Sequence, residues 1–245
     1  MTNRRQFIGG IGAVGAASLA AGGVSAAAQG RGRGPEAAQP TPSAANLTPD
    51  QALQRLIDGN RAFLAGQANT TAVTGAQRRL ELAQSQSPFA AYVTCSDSRV
   101  PPELLFGRGL GELFIIRNAG NTVDTVALGS IEYAVAVLKV PLVVVMGHER
   151  CGAVAAATQV VTENATFPGQ IGRMIEPIIP AVLQARGQPG DLVENSVRAN
   201  VRRVADYLRN QTDPLMQEPL RAGRLKVVGA YYDLDTGRVD FFDRG

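Results

Sequence analysis

Four uninterrupted apolar runs do most to limit the fold of this chain. Within each run the residues do not alternate between apolar and polar, so each run predicts a strand buried on both faces. Helical patterns lie between the runs, which favours crossover connections between parallel strands. We therefore expect an α/β fold with a mostly parallel central sheet flanked by helices. The runs cover residues 89–94, 113–117, 142–146 and 226–232.

Both ends of the domain carry local signals. Thr48, Pro49 and Gln51 form a helix start, with a cap, a proline at the first helical position and a capping box. Near the C-terminus, the turn residues 235–237 predict that residues 238–242 return as an antiparallel edge strand. Further helices are expected at residues 77–84, 126–138, 153–161, 171–184 and 192–209.

The first 47 residues have the composition of targeting and linker segments. Residues 3–8 read Asn-Arg-Arg-Gln-Phe-Ile, and a run of small apolar residues follows them. This pattern predicts a twin-arginine signal peptide over residues 1–28, cleaved after Ala26 or Ala28, and hence export to the periplasm. An uncleaved membrane anchor is the alternative. Residues 29–47 predict a flexible linker, and residues 48–245 a single catalytic domain.

The charge of the chain argues against a nucleic-acid partner. Removal of the signal takes away Arg4 and Arg5 and no acidic residue, which lowers the formal net charge from +3 to +1. No basic run remains after that. We expect neither nucleic-acid binding nor a stable membrane anchor in the mature protein.

All the soft metal ligands of the chain fall in two short motifs. Its two cysteines and its one histidine are Cys95, Cys151 and His148, and each motif follows an apolar run. Two thiolates and an imidazole suit Zn²⁺, and three protein ligands leave a fourth position open, as in catalytic zinc sites. A disulfide between the cysteines is the alternative for an exported protein, and a hydrogen-bonded core histidine is the alternative for His148.

The first motif places an aspartate and an arginine close to a candidate metal ligand. If the chain stays extended after the strand, Cys95, Asp97 and Arg99 point the same way. Asp97 is then the base or hydrogen-bond acceptor for a reacting water, and Arg99 holds it in a bidentate ion pair. A solvated ion pair in a loop is the alternative. Because two thiolates neutralise Zn²⁺, we expect activity to rise with pH.

The second motif, residues 148–152, turns from a strand into a helix. The spacing brings His148 and Cys151 to one ion, and Cys151 lies where the helix dipole favours a thiolate. Gly152 has no side chain, so substrate can approach closely there. A third segment, residues 117–121, suits a tight, left-handed turn that either lines the site or is an ordinary strand-to-loop connection.

With these motifs the sequence resembles the β-class carbonic anhydrases. The resemblance implies Cys95, His148 and Cys151 as ligands of one zinc ion per chain, with Asp97 and Arg99 as a catalytic dyad. In some members the residue matching Asp97 becomes a fourth ligand in an inactive form. Glu149 and Arg150 depart from the small or polar residues of many relatives. The shared residues are 95–100, 111–114, 117–121, 129–134, 147–148, 151–153 and 229–237.

The resemblance also implies the reaction and the assembly. These are the reversible hydration of CO₂ to bicarbonate and a proton by zinc-bound hydroxide, in a homodimer or larger even-numbered homo-oligomer with the active site at a subunit interface. Hydrolysis of carbonyl sulfide or carbon disulfide at the same zinc is the alternative. A non-catalytic zinc or redox protein is the alternative of another class, and it has no use for the Asp97–Arg99 dyad.

Overall fold

The computed structural model describes residues 47–67 and 75–245. The signal peptide predicted over residues 1–28 and nearly all of the predicted linker lie outside the described residues. In the part of the chain that is described, no helix has both the length and the apolar character needed to cross a membrane.

Five strands form one sheet in the order β2-β1-β3-β4-β5. The first four are parallel to their neighbours, and β5 is antiparallel to β4. This confirms the predicted α/β class, the mostly parallel sheet and the antiparallel edge strand at the C-terminus. The strands are β1 Ala90–Cys95, β2 Leu113–Asn118, β3 Leu142–His148, β4 Lys226–Tyr232 and β5 Val239–Asp243.

Helices and, among the described residues, two 3₁₀ turns accompany the strands. At the start of α1, the Thr48 hydroxyl accepts from the Gln51 N–H and the Gln51 side chain accepts from the Thr48 N–H, which confirms the capping box. The helices are α1 Pro49–Leu64, α2 Ala76–Leu82, α3 Pro102–Leu105, α4 Thr125–Ala136, α5 Gly152–Glu163, α6 Ile171–Ile175, α7 Ile179–Ala185, α8 Leu192–Arg209 and α9 Pro214–Arg221. The 3₁₀ turns are Ala119–Asn121 and Glu176–Ile178.

One predicted helix is divided in the structure. Instead of a single helix over residues 171–184, α6 and α7 are separated by the 3₁₀ turn Glu176–Ile178. Pro177 and Pro180 lack an N–H, so neither can donate the hydrogen bond that a continuous helix needs. The helix α9 was not anticipated from the sequence.

Both faces of the sheet are covered by apolar side chains. Every residue of β1 and of β3 is buried. On one face Tyr92 packs with Leu56 of α1, and on the other Val93 packs with Ile131 of α4 and Val201 of α8. This two-sided burial is the physical reason that the strands read as continuous apolar runs.

The order of the strands leaves a crevice beside β1. The chain passes from β1 outward to β2 and then returns to the opposite side of β1 to form β3. The connections after β1 and β3 therefore diverge at the carboxyl ends of these neighbouring strands, where open α/β sheets bind their ligands.

Candidate metal centre

The three predicted ligands meet at this crevice. Cys95 is the last residue of β1, His148 is the last residue of β3, and Cys151 is the N-cap residue of α5. Their ligand atoms all lie within 4.8 Å of one another. The three residues are 5%, 0% and 1% exposed, in the same order. Because β1 and β3 are paired directly, the sheet itself sets the spacing between Cys95 and His148.

The ring of His148 is oriented as a metal ligand. Its Nδ1 lies 2.8 Å from the carbonyl oxygen of Glu149. A carbonyl oxygen only accepts hydrogen bonds, so the proton is on Nδ1 and Nε2 keeps its lone pair. Among the described residues, the buried Nε2 has no hydrogen-bond partner. A buried lone pair without a partner costs free energy, and a metal ion at this position would satisfy it.

The two sulfur atoms are also spaced for a shared ion. Cys95 Sγ and Cys151 Sγ are 4.0 Å apart, and both cysteines are free. A disulfide would need about 2.05 Å. Two thiolates on a tetrahedral zinc, with Zn–S bonds of about 2.3 Å, would lie about 3.8 Å apart. The donor set therefore fits Zn²⁺ with three protein ligands and one open position.

The two thiols influence each other strongly. A hydrogen bond from Cys151, supported by the Gly120 N–H at 3.4 Å, lowers the pKa of Cys95 to about 4. The same contact, together with burial, raises the pKa of the Cys151 thiol. One proton is thus shared between the two sulfurs, and a metal ion that binds both of them has to displace it. Metal binding should therefore strengthen as the pH rises.

Asp97 and Arg99 form the predicted ion pair beside the ligands. Arg99 Nε donates to Asp97 Oδ1 at 2.9 Å, and Arg99 Nη2 donates to Asp97 Oδ2 at 2.7 Å. The hydrogen bonds from Arg99 hold the pKa of the Asp97 carboxyl well below its usual range. Asp97 Oδ2 lies 3.9 Å from His148 Nε2, so the carboxylate faces the space between the ligands.

The path of the chain to this pair differs from the expected one. The strand ends at Cys95, and the Val100 N–H donates to the Asp97 carbonyl oxygen at 3.0 Å, which closes a turn. The Arg99 N–H also donates to Asp97 Oδ1 at 3.0 Å. The pair is therefore formed across a turn, and not by the side-chain alternation of an extended segment. The Asp97 side chain is 18% exposed, which sets the pair apart from a fully solvated one.

Arg117 supports this turn from the next strand. Its Nε donates to the Cys95 carbonyl oxygen at 2.9 Å, and its Nη2 donates to the Asp97 carbonyl oxygen at 2.6 Å. The guanidinium of Arg117 thus holds the main chain of both Cys95 and Asp97. Sequence reasoning gave Arg117 no role of its own. The available signal was a charged residue at the carboxyl end of an otherwise apolar strand.

The turn after β2 lines the site. Gly120 and Asn121 have φ angles of 76° and 45°, which confirms the predicted left-handed turn. The Gly120 N–H that donates to Cys95 Sγ places the turn against the ligand. A Cβ on Gly120 would lie 2.5 Å from Ile178 Cδ1, so a larger residue would also displace the Ile178 side chain. Asn121 is fully buried, and neither atom of its amide has a partner among the described residues.

Comparison with known proteins agrees with this geometry. The sequence profile described as carbonic anhydrase matches residues 90–239. The carbonic anhydrase of Mycolicibacterium smegmatis is 40% identical over 195 residues, which are 80% of this chain and 94% of that protein. The chain belongs to the carbonic anhydrase family.

Solved structures place it in the β class of that family. The β-carbonic anhydrase CcaA is 28% identical, with a TM-score of 0.59 over 76% of this chain and 93% of that one. A β-carbonic anhydrase from Sordaria macrospora, described as tetrameric, is 27% identical, with a TM-score of 0.61 over 78% and 96% of the two chains. Enzymes of this class use zinc, which agrees with the donor set.

Gly152 follows Cys151 as the first residue of α5. It is exposed, and a Cβ built on it would meet no atom of the described residues within 4 Å. Space for a small molecule therefore exists next to this ligand. A substrate contact at Gly152 stays a prediction.

Proposed function

We propose that this carbonic anhydrase catalyses the reversible hydration of CO₂ to bicarbonate and a proton. Cys95, His148 and Cys151 would hold one zinc ion. The single observation that carries the proposal is the buried Nε2 of His148, which has a lone pair, no partner among the described residues, and two cysteine sulfurs nearby. When bound, zinc would act as a Lewis acid that makes water nucleophilic near neutral pH.

Asp97 would orient the reacting water. Its pKa is held low by Arg99, so the carboxylate stays ionised throughout the neutral range and is a poor store for a proton. We therefore assign Asp97 the role of hydrogen-bond acceptor, and not that of the general base. Arg99 is a positioning residue that keeps this acceptor charged and aimed. The role of Asp97 as a fourth zinc ligand in an inactive form remains a proposal from the resemblance.

The depressed pKa of Asp97 also bears on the pH dependence of the reaction. A group that ionises far below neutrality cannot cause a change of rate between pH 6 and 9. The rise expected over that range would thus report deprotonation of the reacting water. The chain has one histidine, and it is a ligand, so the released proton would pass to buffer or to acidic and tyrosine side chains.

We further propose an even-numbered homo-oligomer. The exposed apolar side chains Val126 and Tyr133 of α4 and Val137, the residue that follows this helix, lie along one face, at positions i, i+7 and i+11. A second copy of this chain would remove that face from water, and the Sordaria relative is described as tetrameric. Light scattering on the purified protein tests the assembly, and a monomer at micromolar concentration would contradict it.

Export through the twin-arginine pathway is proposed from residues 3–8. Replacing Arg4 and Arg5 by lysine should retain the protein in the cytoplasm, as followed by cell fractionation. The unchanged chain should appear in the periplasm and begin after residue 26 or 28. Export of the lysine variant at an undiminished level would contradict the proposal.

Stopped-flow CO₂ hydration at alkaline pH, with zinc content measured on the same sample, tests the proposed activity. Protein stripped by a chelator is the first control, and stripped protein reloaded with zinc is the second. We expect fast hydration that is lost with the metal and restored by it. Zinc-loaded protein without this activity would favour carbonyl sulfide or carbon disulfide as substrate. Protein that binds no zinc would overturn the proposal.

A further inference from the structure

Glu149, which directly follows the ligand His148, is fixed at three points. Its N–H donates to the Tyr232 carbonyl oxygen at 2.8 Å, and its carboxylate Oε2 accepts from the Leu234 N–H at 2.9 Å. Its own carbonyl oxygen accepts the hydrogen bond from His148 Nδ1. Contacts that hold Glu149 against the end of β4 therefore also hold the acceptor that orients the His148 ring.

Arg150 completes the link between the ligands and has an unusual backbone conformation. Its φ of 50° lies in the left-handed region, which residues other than glycine rarely adopt. Its guanidinium makes a bidentate ion pair with Asp235, at 2.6 and 3.0 Å, and also donates to Glu149 Oε1 at 2.9 Å. Asp235 belongs to an ordered turn, because Asp233 Oδ1 accepts hydrogen bonds from the N–H groups of Asp235 and Thr236.

These contacts connect the ligand loop to the β4–β5 hairpin through both main chain and side chains. We propose that Glu149, Arg150 and Asp235 form a clamp that positions His148 and Cys151 and slows the release of the metal. The inference rests on the proposed function, because it takes the three ligands to hold zinc. The clamp residues are positioning residues, since they act through His148 and Cys151.

A purely electrostatic effect is the competing explanation. Arg150 is close enough to Arg99 for their charges to interact. If only the charge near the site mattered, removing the Asp235 carboxylate and removing the Arg150 guanidinium would change zinc release in opposite directions. A clamp predicts that both changes accelerate release, because each breaks the same connection.

The rate of zinc release into excess chelator, followed with a colorimetric zinc indicator, tests the clamp without measuring activity. Asp235→Asn and Arg150→Gly should each release zinc about tenfold faster than the unchanged protein, which is the scale found for groups that support metal ligands. Their combination should add little, because both remove one contact. Glycine accepts a φ of 50° without strain, so Arg150→Gly keeps the backbone of the loop.

Asp240→Asn is the matched control. Asp240 lies on the same hairpin and pairs with Arg198 at 3.3 Å, but it forms neither a hydrogen bond nor an ion pair with Glu149 or Arg150. Its release rate should stay within about twofold of the unchanged protein. Arg150→Lys should give an intermediate rate, because lysine keeps the charge and loses the bidentate geometry.

Several outcomes would overturn the clamp. Release rates within twofold for both Asp235→Asn and Arg150→Gly would do so, as would opposite changes in the two variants. Equal acceleration by Asp240→Asn would assign the effect to the hairpin in general. Thermal unfolding of the metal-free variants identifies any loss of folding. If the unchanged protein holds no zinc, the proposed function fails together with the clamp, whereas a loaded protein with unaffected variants refutes the clamp alone.

Discussion

The two strand ends that build the metal centre differ in what they supply and in how they are held. The end of β1 contributes one ligand, Cys95, together with the Asp97–Arg99 pair. It is braced by Arg117, whose guanidinium donates to two main-chain carbonyl oxygens. The end of β3 contributes two ligands within four residues. It is held to the β4–β5 hairpin by the Glu149 N–H, which donates to the Tyr232 carbonyl oxygen, and by the Glu149 carboxylate, which accepts from Arg150 and from the Leu234 N–H.

This difference suggests a division of labour. Of the two ends, the β1 end has the acid that faces the ligands, so changes there should alter the rate more than the metal content. At the β3 end the carboxylate of Glu149 already accepts hydrogen bonds from other residues, so it does not act on the reacting water. Changes at this end should therefore alter how firmly the metal is held. Variants at the two ends can therefore support or break the comparison.

Loss of a ligand at the β3 end should have the largest effect. Cys151→Ser keeps the size of the side chain and replaces the thiolate by a poor zinc ligand. We expect the zinc content to fall below one tenth per chain and CO₂ hydration to fall by about 10³-fold or more. Metal analysis and stopped-flow rates on one preparation measure both. A Cys151→Ser protein that still binds zinc and hydrates CO₂ would show that Cys151 is not a zinc ligand.

Loss of the acid at the β1 end should leave the metal in place. Asp97→Asn keeps the shape of the side chain and removes its charge, so the reacting water would be oriented less firmly and the rate should fall by about 10²-fold. Zinc content should stay near one per chain. In Arg99→Lys the rate should fall less, because lysine retains the positive charge of the ion pair. Equal losses of zinc and of rate in Asp97→Asn would contradict the division between the two ends.

Arg117 provides a subtler test of the same division. Arg117→Met keeps the aliphatic length and leaves the Cys95 and Asp97 carbonyl oxygens without their donors. Because the turn would then hold Asp97 less firmly, we expect the rate to fall by about tenfold, since small misplacements of reacting groups are costly. The rate of zinc release should change by less than twofold. Faster zinc release than in Asp235→Asn would show that both ends hold the metal.

The smallest effect concerns stability and pH. The pKa of Asp97 is lowered in the folded protein, whereas that of an unfolded aspartate is about 3.9. The interaction with Arg99 therefore stabilises the fold above about pH 4 and is lost as the pH falls through the lower folded value. At pH 7 we expect the free energy of unfolding of the metal-free protein to exceed that of metal-free Asp97→Asn by about 1 kcal/mol. The difference is modest because Arg99 is half exposed.

Denaturant unfolding from pH 7 to pH 3 measures that difference. It should be constant down to about pH 5 and shrink below pH 4. A difference that grows on acidification would have the wrong sign for a lowered pKa, and would indicate that the charge of Asp97 destabilises the fold.

The parts of this structure that were predictable from sequence depend on local pattern. Continuous apolar runs gave the strands because β1 and β3 are buried on both faces. The candidate ligands could be predicted because the chain has one histidine and two cysteines. The left-handed turn at Gly120 and Asn121 was predictable because these residue types tolerate a positive φ.

The remaining features depend on contacts between distant segments. The brace by Arg117 requires the register of β2 against β1, in which Thr94 lies opposite Arg117. The partner of Arg150 is 85 positions further along the chain. No local pattern encodes either pairing. The division between α6 and α7 is a different case, because the sequence contains Pro177, a residue that interrupts a helix, within a segment whose apolar spacing favours a single helix.

The position of the ligands in the chain has a consequence for folding. Cys95 and Cys151 are 56 positions apart, and β2, α4 and β3 lie between them. An ion held by both residues would close this segment into a loop in the folded protein, and because the site exists only in the folded chain, the free energy of metal binding would add to the free energy of unfolding. The metal would then keep the two halves of the sheet together as well as serving the reaction.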